Sequence, residues 1–363
     1  MISTLPVRKL ESMALDEILA TPHLLPMQIN LPLKKVLFCQ MSKDGYRRSS
    51  FLDYRAVRSE PGIYSADLKE LTTRLLLRDS PRPVHYILHG GFCCSTLLAR
   101  YFEAIPGSFV LKEPALLTQL STFKLFNNGV SDDFAAFQDE IVANWHNWFH
   151  MSAVLLARTF ETGAVTILKA NDLCNWMGAL LLARDSRTKL LFVSSPLRVF
   201  VLSVLKSDRR RIWVRNRFRS FANCFARVPF LAGIAPANQS DETCAAAVWL
   251  LNSFLCGSLL SSTESHRVLA LSSESIVSRP NDTLLAATKF LELPLDEAGR
   301  AALLTLTPFS HHSKDLDLRY SEAARVINLK KAAARFGSAA EAAISWAANV
   351  ASEWISQCPF DLR

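Results

Sequence analysis

The residues best suited to chemistry lie in one short run, Tyr86-Ile-Leu-His-Gly-Gly-Phe-Cys-Cys-Ser-Thr-Leu-Leu-Ala-Arg100. An apolar strand enters two glycines, crosses small residues to a Ser-Thr pair, and leaves as a helix. Glycine permits positive φ and close backbone approach. Successive N–H groups in such a turn form an anion nest, and the helix N-terminus adds partial positive charge. His89, Gly90, Gly91, Phe92, Cys93, Cys94, Ser95 and Thr96 are therefore the candidate binding turn for a phosphate or phosphosulfate. The alternative is a strand-to-helix turn whose glycines only solve a packing problem. The run is not a Walker A loop: GxxxxGK[ST] places a lysine before the hydroxyl residue, and here Cys94 or Ser95 stands there.

Three further places carry charge or hydroxyls at strand ends. Glu113 follows Phe109-Val-Leu-Lys112, at the carboxyl end where α/β proteins bind ligands. It is the candidate general base, with a helix-capping acid before Pro114 as the alternative. Lys169 closes Val165-Thr-Ile-Leu and is the candidate electrostatic donor, or else a solvated strand terminus. Lys112 supplies a similar charge or pairs with the acid. Arg198 and Ser203 follow Lys189-Leu-Leu-Phe-Val193 and suit a second phosphate, since arginine binds phosphate through two parallel hydrogen bonds. Arg198 reads equally as a helix-surface residue.

Lys206, Arg209, Arg210, Arg211, Arg215, Arg217 and Arg219 form the most basic stretch, interleaved with Trp213, Phe218 and Phe221. It reads as the solvated face of a helix, with some members closing over a nucleotide. Cys93 and Cys94 read as small packing residues; a thiol at a helix N-terminus with a lowered pKa is the reactive alternative. His311-His-Ser-Lys-Asp315 lacks partners at metal-ligand spacing, so no metal is expected there.

The elements that must position these groups follow from hydropathy. Short apolar runs at 84–88, 109–111, 165–168, 189–193 and 268–271 alternate with helical stretches, which predicts a parallel sheet covered on both faces. The fold class is α/β: a P-loop three-layer sandwich with a mostly parallel central sheet, helical insertions at 132–158 and 209–260, and a small N-terminal extension. The insertion at 209–260 is expected to break near Pro229 and Pro236. Residues 33–40 and 49–54 read as short strands and 66–77 as a helix. The expected division is 1–80 as an α+β extension, 81–335 as the P-loop domain and 336–363 as a C-terminal helix packed on it.

The chain has 363 residues, half of them hydrophobic, and a net charge of +8. That composition supports a large core. A basic balance suits an anionic ligand, but an excess of this size does not require nucleic acid. The eight cysteines show neither disulfide-framework nor zinc spacing, which predicts thiols in a reducing compartment. Lys9, Glu11, Asp16 and Glu17 interrupt any apolar leader, so the expected location is cytoplasmic. The uncharged stretch Thr243–Thr263 is long enough for a membrane span but is interrupted by Asn252 and several serines; it is expected to be a buried helix.

The turn resembles the 5′-phosphosulfate loop of the sulfotransferases, whose bacterial members often read G-R-S-G-S-T-L-L. Gly91-Phe-Cys-Cys-Ser-Thr-Leu-Leu98 matches at Ser95, Thr96, Leu97 and Leu98, while Phe92 stands where the family has Arg or Lys, and Cys94 replaces a glycine. Phe109-Val-Leu-Lys-Glu-Pro114 resembles the second strand and acidic motif. Lys189 to Ser203 resembles R-x-P-x-x-V-x-x-S, with Ser194 or Ser195 in place of the arginine and a spacing one residue longer. Ser273-Glu-Ser-Ile-Val-Ser-Arg-Pro280 followed by Phe290-Leu-Glu-Leu-Pro294 resembles Y-E-D-L-x-x-x-P … F-L-G-L. The resemblance covers about 84–320. It implies a sulfuryl donor, 3′-phosphoadenosine-5′-phosphosulfate, no metal requirement, and a small-molecule or glycan acceptor. It also implies Glu113 as base, Lys169 near the reaction centre, Arg198 and Ser203 at the 3′-phosphate, and Ser313 and Lys314 in a basic loop over the donor. Fold alone does not carry function. A phosphotransferase using the same turn, and a non-catalytic nucleotide-binding descendant lacking the cation at Phe92, remain the alternatives.

Overall fold

The computed structural model describes residues 15–57, 62–78, 83–125, 132–234, 239–295, 311–312, 315–319 and 322–362. Eight strands are used below. They are β1 (Leu24–Asn30), β2 (Lys35–Gln40), β3 (Ile63–Asp67), β4 (Val84–His89), β5 (Ser108–Lys112), β6 (Val165–Lys169), β7 (Leu190–Ser194) and β8 (Val268–Ser272). All five runs expected to form the central sheet do so.

The central sheet is parallel, with strand order β5-β6-β4-β7-β8. Its strands are apolar on both faces because both are covered. Alternation sorts their side chains into two cores. Ile87, Val110, Ile167 and Leu191 pack with Leu97, Leu98 and Phe102 of helix α2 (Ser95–Phe102) and Leu284 of α8 (Pro280–Phe290). Tyr86, Leu88, Phe109, Leu111, Leu168 and Phe192 face the other way. There they meet α3 (Ala115–Leu125), α4 (Gln138–Leu156), α5 (Leu197–Leu205) and α7 (Asp241–Leu260). The result is a three-layer α/β/α sandwich. The chain leaves β4 toward β5 on one side and reaches β7 on the other, so the switch point lies beside the carboxyl end of β4, where open α/β sheets bind ligands.

The extension is an antiparallel sheet, β1-β2-β3, followed by α1 (Leu68–Leu76). Its apolar residues join the same buried cluster as the central sheet. Gln119 of α3 fastens it: its side chain accepts from Ile29 N at 2.8 Å and donates to Ile29 O at 2.9 Å. Residues 49–54, expected as a strand, are irregular as far as Asp53, and Tyr54 opens a short helix, Tyr54–Val57. Leu52 alone is fully buried there, and its backbone exchanges hydrogen bonds with Lys112 O and Ala115 N. That tether holds the segment against the end of β5 and leaves no partner strand for a ladder.

The insertion at 209–260 does break, into α6 (Asp208–Ser220), a short helix Ala222–Phe225, and α7, whose N-cap Ser240 accepts from Thr243 N. α7 is long and apolar enough to cross a membrane, yet its run Cys244–Ser253 is continuously buried inside the molecule. The final helix, α9 (Glu322–Val350), starts earlier than expected and spans the anticipated 335/336 boundary. It packs on α5 and α7.

Candidate active site

The turn after β4 is built as a nest. Gly91 has φ +85°, Phe92 +52° and Cys94 +66°. A succession of left-handed residues turns backbone N–H groups inward. Cys94 caps α2 in the left-handed region and its side chain makes no cap bond, so the helix lacks the N-cap side-chain acceptor that usually serves its first N–H groups. Ser95 and Thr96 occupy its first two positions and are buried. Cys93 is buried, with its thiol donating to Val193 O at 3.2 Å, and all eight cysteines are thiols.

Beside the nest, three strand ends bring their ionisable groups together. Lys169, at the end of β6, pairs with Glu113 and lies 3.0 Å from His89 Nε2. Asn171 Nδ2 donates to the other Glu113 oxygen at 2.8 Å. Glu113 itself holds φ +54°, a region non-glycine residues rarely adopt, and its N–H donates to Lys169 O at 2.6 Å. Strain of this kind gathers at functional sites; here it turns a carboxylate off the edge strand toward the sheet centre. Burial pushes the Glu113 pKa up, but Lys169 and the hydrogen bonds from His89 and Lys169 outweigh it and hold the group well below the usual carboxylate range. Asn175 fixes the end of β4, its side chain accepting from His89 N and donating to His89 O.

These groups open into one cleft of about 1400 Å³. Its walls come from the 45–56 segment, the turn, the strand ends, α5, α6 and α9. Among the described residues six arginines and two lysines line it with the carboxylates of Glu113 and Asp172, and two of those arginines, Arg55 and Arg325, pair with Asp53 and Glu274 beside it. Both acids are already paired, Glu113 with Lys169 and Asp172 with Arg217 at 2.7 Å. The net field favours a polyanion. At the far end Lys206, Arg210 and Arg325 lie close enough that desolvation, Arg210 and Arg325 together lower the Lys206 pKa.

The expected residues divide as follows. His89, Gly91 to Thr96, Glu113, Lys169 and Ser203 line the cleft, and Gly90 sits behind it against the Ser194 hydroxyl. Arg198 does not line it: its guanidinium pairs with Glu341 and its N–H donates to Leu362 O. Lys112 is fully buried and faces Glu103, Tyr46 O and Arg47 O; burial lowers its pKa to about 8. Ser313 and Lys314 lie outside the described residues. The basic helix α6 is two-sided: Arg209, Arg210, Trp213 and Arg217 line the cleft, while Arg211 and Arg215 pair with Asp208 and Asp241. Sequence reasoning missed Arg48, Arg55, Asn171, Asn175 and Arg325. Asn171-Asp172, two residues beyond a strand-end lysine, is a readable signal; the arginines come from segments distant in sequence and carry none.

The sheet order and the nest make this a P-loop-type α/β sandwich. No protein-family model and no curated protein matches the chain. Among solved structures it is similar to a sulfotransferase domain from the curacin biosynthetic pathway, at 13% identity over 71% of this chain and 99% of that one, with a TM-score of 0.38. It is also similar to the sulfotransferase domain of the Synechococcus PCC 7002 olefin synthase, at 15% identity over 69% and 84%, TM-score 0.37. A third is sulfotransferase STF9 from Mycobacterium avium, at 10% identity over 80% of each chain, TM-score 0.41. Likeness at these scores transfers no residue role. Among the described residues no group of three or more His, Cys, Asp or Glu is placed to hold a metal ion.

Proposed function

We propose that the cleft transfers a sulfuryl group from 3′-phosphoadenosine-5′-phosphosulfate to a hydroxyl or amine of a small-molecule or glycan acceptor. The observation that carries this reading is the buried Lys169–Glu113 pair standing beside an anion nest in a cleft with a large cationic excess. The motif resemblance in the sequence selects sulfuryl over phosphoryl chemistry, as does the absence of a lysine just before Ser95.

In this reading the nest, Ser95 and Thr96 hold the 5′-phosphosulfate. The acceptor oxygen or nitrogen forms the new bond to sulfur, the sulfur–oxygen bond to the 5′-phosphate breaks, and adenosine 3′,5′-bisphosphate leaves with the bonding pair. Glu113 takes the acceptor proton. A carboxylate held by an ammonium is a weak base, so Lys169 must release it. Turning toward the oxygen on which charge develops, Lys169 stabilises the leaving group and lets the Glu113 pKa rise toward the acceptor's proton.

Thermal unfolding tests the donor. A ligand at 100 times its Kd stabilises the folded state by about 2.7 kcal/mol, so adenosine 3′,5′-bisphosphate raises the melting temperature. No shift at millimolar ligand, with a clear one from ATP and Mg²⁺, replaces this reading with a phosphotransferase.

A further inference from the structure

Helix α6 lays one face against the phosphate turn. Trp213 covers Gly91 so closely that a Cβ there would stand 3.0 Å from Cη2. The Phe92 ring meets Trp213 edge to face, centroids 4.9 Å apart, and the Arg210 guanidinium lies 4.4 Å from the Phe92 centroid. Arg217 stacks on the Trp213 indole at 5.5 Å. Positions 210, 213 and 217 share a helix face by spacing.

Arg210 differs from Arg211, Arg215 and Arg217 of α6 in what it touches, and from Arg209 in lying against the Phe92 ring. Arg211 and Arg215 pair with Asp208 and Asp241, and Arg217 pairs with Asp172. The guanidinium of Arg210, half-buried in the cleft wall, makes one hydrogen bond among the described residues, to Ser203 O at 2.8 Å, and no ion pair there. A guanidinium has five N–H donors, and a partly desolvated charge without a counter-ion is unfavourable. The adjacent Lys206 adds to the positive potential rather than relieving it, and Arg325 is itself paired with Glu274.

Phe92 occupies the place where the sulfotransferase loop carries Arg or Lys. We propose that the cation has moved from the turn to the inserted helix: Arg210, braced on the Phe92 ring and on Ser203 O, donates to the oxyanion seated on the turn, and Phe92 is the positioning residue that aims it. Cation–π contact with the ring face fixes the guanidinium plane while leaving its edge donors to the ligand. The proposal rests on the reading of the turn as an oxyanion site and is independent of whether the group transferred is sulfuryl.

Titration calorimetry with pyrophosphate, and separately with adenosine 3′,5′-bisphosphate, tests it on the full chain. Arg210→Met is expected to weaken ligand binding about tenfold or more, the size of a lost charge-assisted pair. Phe92→Leu weakens binding less, because the cation stays but loses its brace. The double variant Phe92→Arg/Arg210→Met recovers affinity, which loss of a merely structural Arg210 would not allow. Arg210→Gln, which keeps a donor for Ser203 O, carries the same comparison if the Met variant does not fold. Wild-type affinity in a folded Arg210→Met protein overturns the proposal, as does a folded double variant that stays weak. Wild type binding pyrophosphate but not the bisphosphate refutes the proposed donor and leaves the Arg210 comparison readable on pyrophosphate. Wild type binding neither overturns both.

Discussion

Nζ of Lys169 stands 3.0 Å from Nε2 of His89, while Nδ1 of the same ring accepts from the Gly91 N–H at 3.1 Å. Against desolvation and the Lys169 charge, hydrogen bonds to Cys93 and Glu113 raise the pKa of this ring, so the competition is read at a pH well above 6.5. There the neutral imidazole has one acceptor nitrogen, and the two donors compete for a single lone pair. The ring thus links the backbone of the anion turn to the Lys169–Glu113 pair. An anion that draws the Gly91 N–H into the nest releases Nδ1 to carry the proton, and Nε2 then accepts from Lys169. Nitrogen NMR of His89 is expected to show the ring proton moving from Nε2 to Nδ1 as pyrophosphate saturates the protein. A ring proton that stays on one nitrogen throughout the titration breaks this link.

The Lys169–Glu113 pair is expected to act as a unit. Lys169→Met removes the charge that stabilises the leaving group and should lower turnover by about two orders of magnitude. Glu113→Gln removes the base while keeping the shape of the pair. Residues serving one transition state are non-additive, so the double variant should be little worse than the poorer single one. Multiplying losses, measured as kcat/KM under the same conditions, would mean the two side chains serve separate steps.

The extent to which the site was legible in sequence follows from which forces are local. All five central strands were visible because a sheet covered on both faces writes continuous apolar runs, and the turn was visible because its glycines and hydroxyls are adjacent. Glu113 and Lys169 are legible from their strand ends together with the motif resemblance. Arg198 was read as cleft-facing from its motif position, yet the helix register delivers Ser203 to the cleft and Arg198 to Glu341. The 45–56 wall, with Arg48 and Arg55, and Arg325 on α9 reach the cleft only through tertiary packing, which no local pattern records. Sequence offers Lys169 as the cation near Phe92 because strand ends are legible; the stacking of Arg210 appears only once α6 lies on the turn.

Gly91 tests the turn itself. Its φ of +85° is unfavourable for a β-branched residue, and its missing Cβ leaves just enough room for the Trp213 ring. Gly91→Val is expected to abolish pyrophosphate binding by calorimetry, both by opening the nest and by lifting Trp213 from it. The far-UV circular dichroism should stay near that of wild type, because the glycine lies outside every strand and helix. Normal binding by a folded variant would move the anion site elsewhere.

His85 governs part of the acid stability from the opposite end of β4. The ring is buried, and its Nδ1 accepts from Lys189 N at 3.2 Å, so the neutral form is the one that fits. Burial first, and the Lys189 charge second, lower its pKa from 6.5 to about 4. Between those values the unfolded chain binds a proton that the folded chain does not. Stability therefore falls as pH drops through 6.5, and the loss levels off below the folded pKa of about 4. The full effect is about 3 kcal/mol at most, from 1.36 kcal/mol per unit. Burial also raises the Glu103 pKa, so the comparison must be with a variant. His85→Asn keeps an acceptor near Lys189 N and has no proton to gain. Urea unfolding at pH 7.5 and at pH 4.5 should show wild type losing more stability than the variant over that interval. Equal losses in the two proteins would mean that His85 is protonated in the folded state without penalty.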